Sequence, residues 1–345
     1  MTLPAKDKLA LVSNLGTMLG AGIPILEAVE ALIEESKGGM RKVLFVLRDS
    51  LNEGHPLSHG LEKVPDIFDP VTINLIKAAE ESGTLEKTLK DLEKSIKKQM
   101  AFNDKLKASL TYPAFVVVIF LVVISFILAF VIPRIAKTFS TIKGDLPAPT
   151  KFLLNASDLL LHYWMYILLG AVVLVIGAVW LFRAKRRVMV NMLLNAPGLR
   201  RLGQQIDLAN FSRSMALLLS AGIPVAEALQ FSEAVVVKKE MMLVIKRLKQ
   251  DVNAGHPMSE GLRAHKGVIP QIMVRIIETA ERSGTLEATM HELAEYFEMQ
   301  VNRTLKTLAT LLEPIMLVFM GLLVGGMMLA VIAPIYGLIS DLNSS

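Results

Sequence analysis

The sequence predicts an all-α membrane protein: two repeated cytoplasmic helical-bundle domains and three transmembrane helices. Three observations carry that prediction. The chain is 52% hydrophobic with few aromatic residues, a balance unusual for a soluble protein of this length. It holds three long runs without Asp, Glu, Lys or Arg: Ala114–Ile132, Leu159–Phe182 and Ile315–Ala333. Several short motifs also recur in the same order at an offset of 200 or 201 positions. Crossing a bilayer takes about 20 apolar residues, and one charge at the centre would cost about 2.5–3.5 kcal/mol, so each run can span.

The elements follow in order. Residues 5–20 carry Leu9, Leu11, Val12, Leu15, Met18 and Leu19 near helical spacing. Ala21-Gly22-Ile23-Pro24 ends that helix and starts the next, with proline acceptable in a first turn. A second helix runs through Ile25, Val29, Leu32 and Ile33 and stops at Gly38-Gly39; a third covers about 40–52. Gly54-His55-Pro56-Leu57-Ser58-His59-Gly60-Leu61 reads as a turn and a short helix. Asp69-Pro70 is an N-cap and first-turn pair for a helix reaching Glu80. Leu85, Leu89, Leu92 and Ile96 then stripe a long helix that runs toward the first apolar stretch, where Pro113 should kink or restart it.

Residues 188–313 repeat this order. Ala221-Gly222-Ile223-Pro224 answers Ala21–Pro24, and Gly255-His256-Pro257-Met258-Ser259-Glu260-Gly261-Leu262 answers Gly54–Leu61. Leu311-Leu312-Glu313-Pro314 answers Leu110–Pro113. The expected division is therefore a helical domain over 1–110, a span over 111–133, an extracytoplasmic loop over 134–158 and a span over 159–182. A second helical domain follows over 183–312, then the third span and a short tail over 313–340. Lysines before the first span and Arg183-Ala184-Lys185-Arg186-Arg187 after the second place both flanks in the cytoplasm, so the N-terminus is cytoplasmic and the C-terminus is not.

One joint occurs twice: Ala79-Glu80-Glu81-Ser82-Gly83-Thr84-Leu85 and Ala280-Glu281-Arg282-Ser283-Gly284-Thr285-Leu286. Gly83 and Gly284 suit the left-handed position that closes a helix. Thr84 and Thr285 can cap the next helix, and Glu86 and Glu287 fall in its positive first turn. A helix joint does not account for Glu80 and Glu281, which precede it where a helix end disfavours negative charge. These two carboxylates, with Gly83 and Gly284, are the candidate interaction or joint residues.

The chemistry that is missing narrows the function. There is no cysteine, hence no disulfide, thiolate nucleophile or cysteine metal site. No Gly-x-x-x-x-Gly-Lys-Ser/Thr loop is present, so the chain is not expected to hydrolyse nucleotides. His55 and His59 are spaced for a metal, but Pro56 lies between them and the second copy has His256 with Glu260, so a turn with polar contacts is the better reading. No catalytic, cofactor or metal residue is expected, and the net charge of +5 needs no nucleic acid to explain it. Gly321 and Gly325 form a Gly-x-x-x-Gly pair that would let helices pack closely in the third span. A channel or transporter is the competing class, but the repeat is parallel and the spans carry no Asp, Glu, Lys or Arg to couple transport.

Two copies of Ala-Gly-Ile-Pro, Gly-His-Pro-x-Ser-x-Gly-Leu and Glu-x-Ser-Gly-Thr-Leu, each followed by a proline-gated span, resemble the F-domain platform proteins of type II secretion and type IV pilus machines (GspF, PilC and ComGB types). Leu146-Pro147-Ala148-Pro149-Thr150 is similar to that family's extracytoplasmic loop, whereas the longer N-terminal extension of pilus-type members has no counterpart here. The resemblance implies two cytoplasmic six-helix domains, three spans, no enzymatic activity and a bacterial inner-membrane location. It implies a homo-oligomeric platform above a cytoplasmic hexameric assembly ATPase, helping to move pilin or pseudopilin subunits out of the bilayer beside other inner-membrane assembly proteins.

Overall fold

The computed structural model describes residues 3–65, 67–131, 133–134 and 200–343. The expected loop 134–158, the second span 159–182 and the basic cluster 183–187 lie outside the described residues, apart from Arg134. The described residues are helical, with no strand among them.

Six helices precede the gap: α1 (Ala5–Gly20), α2 (Ile25–Glu35), α3 (Gly38–Asn52), α4 (Leu57–Glu62), α5 (Pro70–Glu81) and α6 (Leu85–Phe126), the last followed by a wider π turn over Ile127–Val131. Six follow it: α7 (Arg200–Ser220), α8 (Val225–Ser232), α9 (Lys239–Asn253), α10 (Met258–Arg263), α11 (Gln271–Ser283) and α12 (Leu286–Asn343), with a 3-10 turn over Glu233–Val235 after α8.

Each short helix exists because one stripe is apolar. Ala28, Val29, Leu32 and Ile33 are the buried face of α2; Val43, Leu44 and Leu47 are that of α3. Met241, Val244, Ile245 and Leu248 do the same for α9, and Met273, Val274, Ile277 and Ala280 for α11. Helix α7 differs, because buried residues surround it, from Leu208 and Phe211 to Asp207, Ser212 and Ser214. A helix buried all round belongs to the middle of a bundle.

The chain forms two compact units, Met1–Lys105 with Val190–Arg303, and Leu106–Met189 with Thr304–Ser345. In the first, consecutive helices pack on one another through α1–α5 and again through α7–α11, and α5 also lies against α7, α8 and the 3-10 turn. In the second, the described residues expose large apolar side chains, among them Phe115, Val118 and Val122 on α6 and Ile315, Leu317 and Leu322 on α12. Phe120 and Phe319 meet there edge to face, ring centres 5.2 Å apart.

The chain does not restart at the prolines. Helix α6 runs unbroken past Pro113, and α12 past Pro314 and Pro334. An interior proline removes one N–H and crowds the preceding turn, but apolar helices tolerate the loss where neighbours satisfy the freed carbonyl. Helix α12 is long and apolar enough to cross a bilayer over Leu286–Gly326, and Phe115–Phe126 is a shorter apolar stretch.

Candidate functional site

The joint that recurs in the sequence recurs as geometry. Helix α5 ends at Glu81, and Gly83 follows with φ +69; α11 ends at Ser283, and Gly284 follows with φ +70. The reversed backbone lets Thr84 N–H reach back to the Ala79 carbonyl at 2.8 Å, and Thr285 N–H to that of Ala280 at 3.0 Å. The threonine hydroxyls meet their serine neighbours, Ser82 Oγ to Thr84 Oγ1 at 2.8 Å and Ser283 Oγ to Thr285 Oγ1 at 2.7 Å.

Glu80 and Glu281 turn out to hold the other motif. Leu57 N–H and Ser58 N–H donate to Glu80 Oε1 and Oε2, at 2.5 and 3.0 Å. Met258 N–H and Ser259 N–H donate to Glu281 Oε1 and Oε2, at 2.6 and 3.1 Å. Each carboxylate therefore caps a six-residue helix, α4 or α10, using both oxygens on its first two orphan N–H groups. Prolines 56 and 257 stand at the N-cap position and cannot do this with their side chains. A carboxylate at a helix start is favoured twice, by charge-assisted hydrogen bonds and by the helix dipole.

The rest of the Gly-His-Pro-x-Ser-x-Gly-Leu motif has equally local reasons. Gly54 and Gly255 adopt φ +81 and +89, which a side chain would strain. Gly60 lies so close to α3 that a methyl group would stand 2.9 Å from Leu47 Cδ2 and 3.3 Å from Leu47 Cα. At Gly261 it would stand 2.6 Å from Asp251 Oδ2. Leu61 and Leu262 are buried. The His55 and His59 rings meet tilted, with centres 4.5 Å apart, beside Glu53 and Glu62. No cluster suited to a metal ion occurs among the described residues.

Two charged residues that sequence reasoning passed over, one buried and one partly buried, anchor the first unit. Asp207 on α7 is 1% exposed and takes Val237 N–H at 2.8 Å and Lys238 N–H at 2.7 Å, so it caps α9 from another helix. Burial pushes its carboxyl above the ordinary carboxylate range, opposed by those two hydrogen bonds and by the Lys238 charge. Arg213, also on α7, keeps only 11% of its side chain exposed. Its Nη1 donates to Gln99 on α6, its Nη2 to Glu298 on α12, and its guanidinium lies 5.4 Å from the Phe102 ring centre. Next to Gln99 on α6, Lys98 Nζ meets His291 Nε2 at 3.0 Å and Glu295 Oε1 at 3.2 Å. A charge on a helix face otherwise facing the core was the available signal for both residues.

Gly321 and Gly325 have open space around them: a methyl group at either would meet no atom within 4 Å. They are thus not used for packing among the described residues, and their face of α12 is exposed.

These features describe a helical scaffold with two carboxylate-locked joints, a polar seam between long helices and exposed apolar helix ends. The chain belongs to the Type II secretion system (T2SS), protein F family, whose sequence model matches it twice, over residues 11–133 and 211–334. It is 30% identical to the Type IV pilus assembly protein PilC of Thermus thermophilus across 99% of this chain and 84% of that protein. It is 28% identical to the PilC of Pseudomonas aeruginosa across 94% of this chain and 88% of that protein. The Type II secretion system protein F of Aeromonas hydrophila is 28% identical across 98% of this chain and 88% of that protein.

Proposed function

We propose that this chain is an inner-membrane platform protein of a type IV pilus or type II secretion machine. It couples a cytoplasmic hexameric ATPase to the extraction and assembly of pilin or pseudopilin subunits and has no enzymatic activity of its own. The observation that carries this reading is the double family match, since each matched stretch begins in the packed helices and ends in an apolar one. A machine part that transmits movement needs stiff elements running from a soluble body into lipid. Helices α6 and α12 are continuous over 42 and 58 residues.

In this reading the chain is a duplicated unit, helical domain plus span, with 159–182 as an added span between the copies. The spans lie at 111–133, 159–182 and 313–340, with the N-terminus cytoplasmic and the C-terminus outside. The protein works as a homo-oligomer beside other inner-membrane assembly proteins. Glu80, Gly83, Glu281 and Gly284 are joint residues that keep each domain rigid under load, and Gly321 and Gly325 are a packing face for another helix.

The test is deletion of the gene in its own cells, with mild detergent extraction and mass spectrometry of what co-purifies with the native protein. A secretion-type ATPase and single-span pilin-like proteins in the eluate, with loss of pili or secretion on deletion, are the expected results. Intact pili and secretion in the deletion strain would end the proposal.

A further inference from the structure

We infer that Arg213 is the bolt of a polar clasp that holds α6 to α12 and can be released to let the two long helices separate. Its use by the machine rests on the platform reading above; its existence does not. The seam between these helices differs in kind from the cores on either side. Within the first unit it is tied by polar contacts, Arg213 to Gln99 and to Glu298 and Lys98 to His291 and Glu295, whereas in the second unit Phe120 meets Phe319. It is also loosely filled. A cavity of about 390 Å³ lies in it beside Asp91, Lys98 and His291, and a second of about 340 Å³ adjoins it between α5, α6 and α7, beside Thr72, Gln99 and Asn210. The two share Ser95, Arg213 and Leu217 as walls. Asn210 Oδ1, on the wall of the second cavity, is buried without a hydrogen-bond partner.

The seam is not arranged to receive an anion, because its cations already face carboxylates: Lys94 faces Asp91, Lys98 faces Glu295 and Arg213 faces Glu298. Such an arrangement suits reversible contact. The Lys98 and Glu295 side chains are 48% and 59% exposed, so water takes over their partners when the seam opens. Arg213 alone is substantially buried, and its planar fork engages both long helices at once. Removing it takes away a group on a third helix that is bonded to both α6 and α12.

The chain contains no cysteine, so introduced pairs can be labelled without background. Spin labels on Lys97→Cys and Glu292→Cys, exposed positions on α6 and α12, report the separation in the full-length protein in nanodiscs. Arg213→Ala is expected to raise the longer-separation population about tenfold, as for losing hydrogen bonds to a charged group. Glu298→Gln, which keeps Arg213 in place, is expected to give a smaller rise and guards against a folding artefact. An unchanged distance distribution in both variants overturns the clasp. In cells, bridging Ser95→Cys to Ala288→Cys, which line the cavity between α6 and α12 and make none of the clasp's ties, with a short bismaleimide is expected to stop pilus assembly or secretion, whereas a monofunctional maleimide does not. Full assembly by the bridged protein overturns the release step. The distance measurement needs no partner, so its outcome is separate from that of the deletion test.

Discussion

The helices before the gap and those after it solve the same local problem identically in one place and differently in another. At the joints they agree closely. Glu80 and Glu281 each reach back 23 residues to the first N–H of a short helix and place both oxygens on successive amides. At the corner between the second and third helices of each set they diverge. Asp207 is buried there and caps α9, whereas Asp7, 200 positions earlier, lines an open cavity of about 260 Å³ with Ser36 and Lys37. The lesson concerns what forces a residue. Proline before a six-residue helix removes the usual side-chain cap, so an outside acceptor is needed in both sets. The other corner can be closed by a buried carboxylate or left for water, and each set uses one of the two.

Substitutions can break this comparison, and the largest effect belongs at the stapled corner. Asp207→Ala leaves two N–H groups without acceptors in a buried place and should cost about 3 kcal/mol, read as a lower thermal midpoint in detergent. Asp7→Ala should stay within about 0.5 kcal/mol, as for a surface change; equal losses at the two positions would remove the contrast. Gly60→Ala should cost about 2 kcal/mol, because Leu47 backbone cannot yield to the new methyl group. At Gly261 the nearest atoms are side-chain ends, Asp251 Oδ2 and Leu248 Cδ2, so Gly261→Ala should cost less. The same denaturation series decides the order.

Glu80→Ala and Glu281→Ala should each cost about 1–2 kcal/mol and match one another, since both sites are only partly buried. Hydrogen exchange should show the loss first at Leu57 and Ser58, or at Met258 and Ser259. A large difference between the two variants would mean that one glutamate has a second role.

The smallest expected effect is in pH. The folded-state carboxyl of Asp207 is raised above its unfolded value. Its stabilising contribution is therefore full below the unfolded pKa, near 3.9, and is lost as pH climbs through the higher folded value. Relative to Asp207→Asn, the native chain should lose stability over that rise. Glu93 has the opposite sign: the hydrogen bond from Lys97 holds it below the ordinary range, so its contribution is lost as pH falls. Proteolysis across the acid range distinguishes the two slopes.

The fold was largely legible. Periodicity gave α1 to α5 and the turn glycines, and Asp69 caps α5 through Thr72 N–H at 2.9 Å as its position before Pro70 suggests. The candidate site was legible only in part. Glu80 and Glu281 stood out because no local rule placed them, yet the acceptor role needed a partner that the folded chain brings near. One sequence signal did point there: Leu57 to Glu80 and Met258 to Glu281 have equal separations. Arg213 gave less, because Gln99 and Glu298 are 114 and 85 positions away and no spacing links them.

By itself, then, the sequence determined the helices, their ends and the apolar runs, because capping, periodicity and charge exclusion act within one or two turns. Only the tertiary structure decided which carboxylate meets which amide, where Asp207 is buried and what Arg213 holds. Those outcomes depend on elements far apart in the chain arriving within hydrogen-bond distance, and local pattern does not encode that distance.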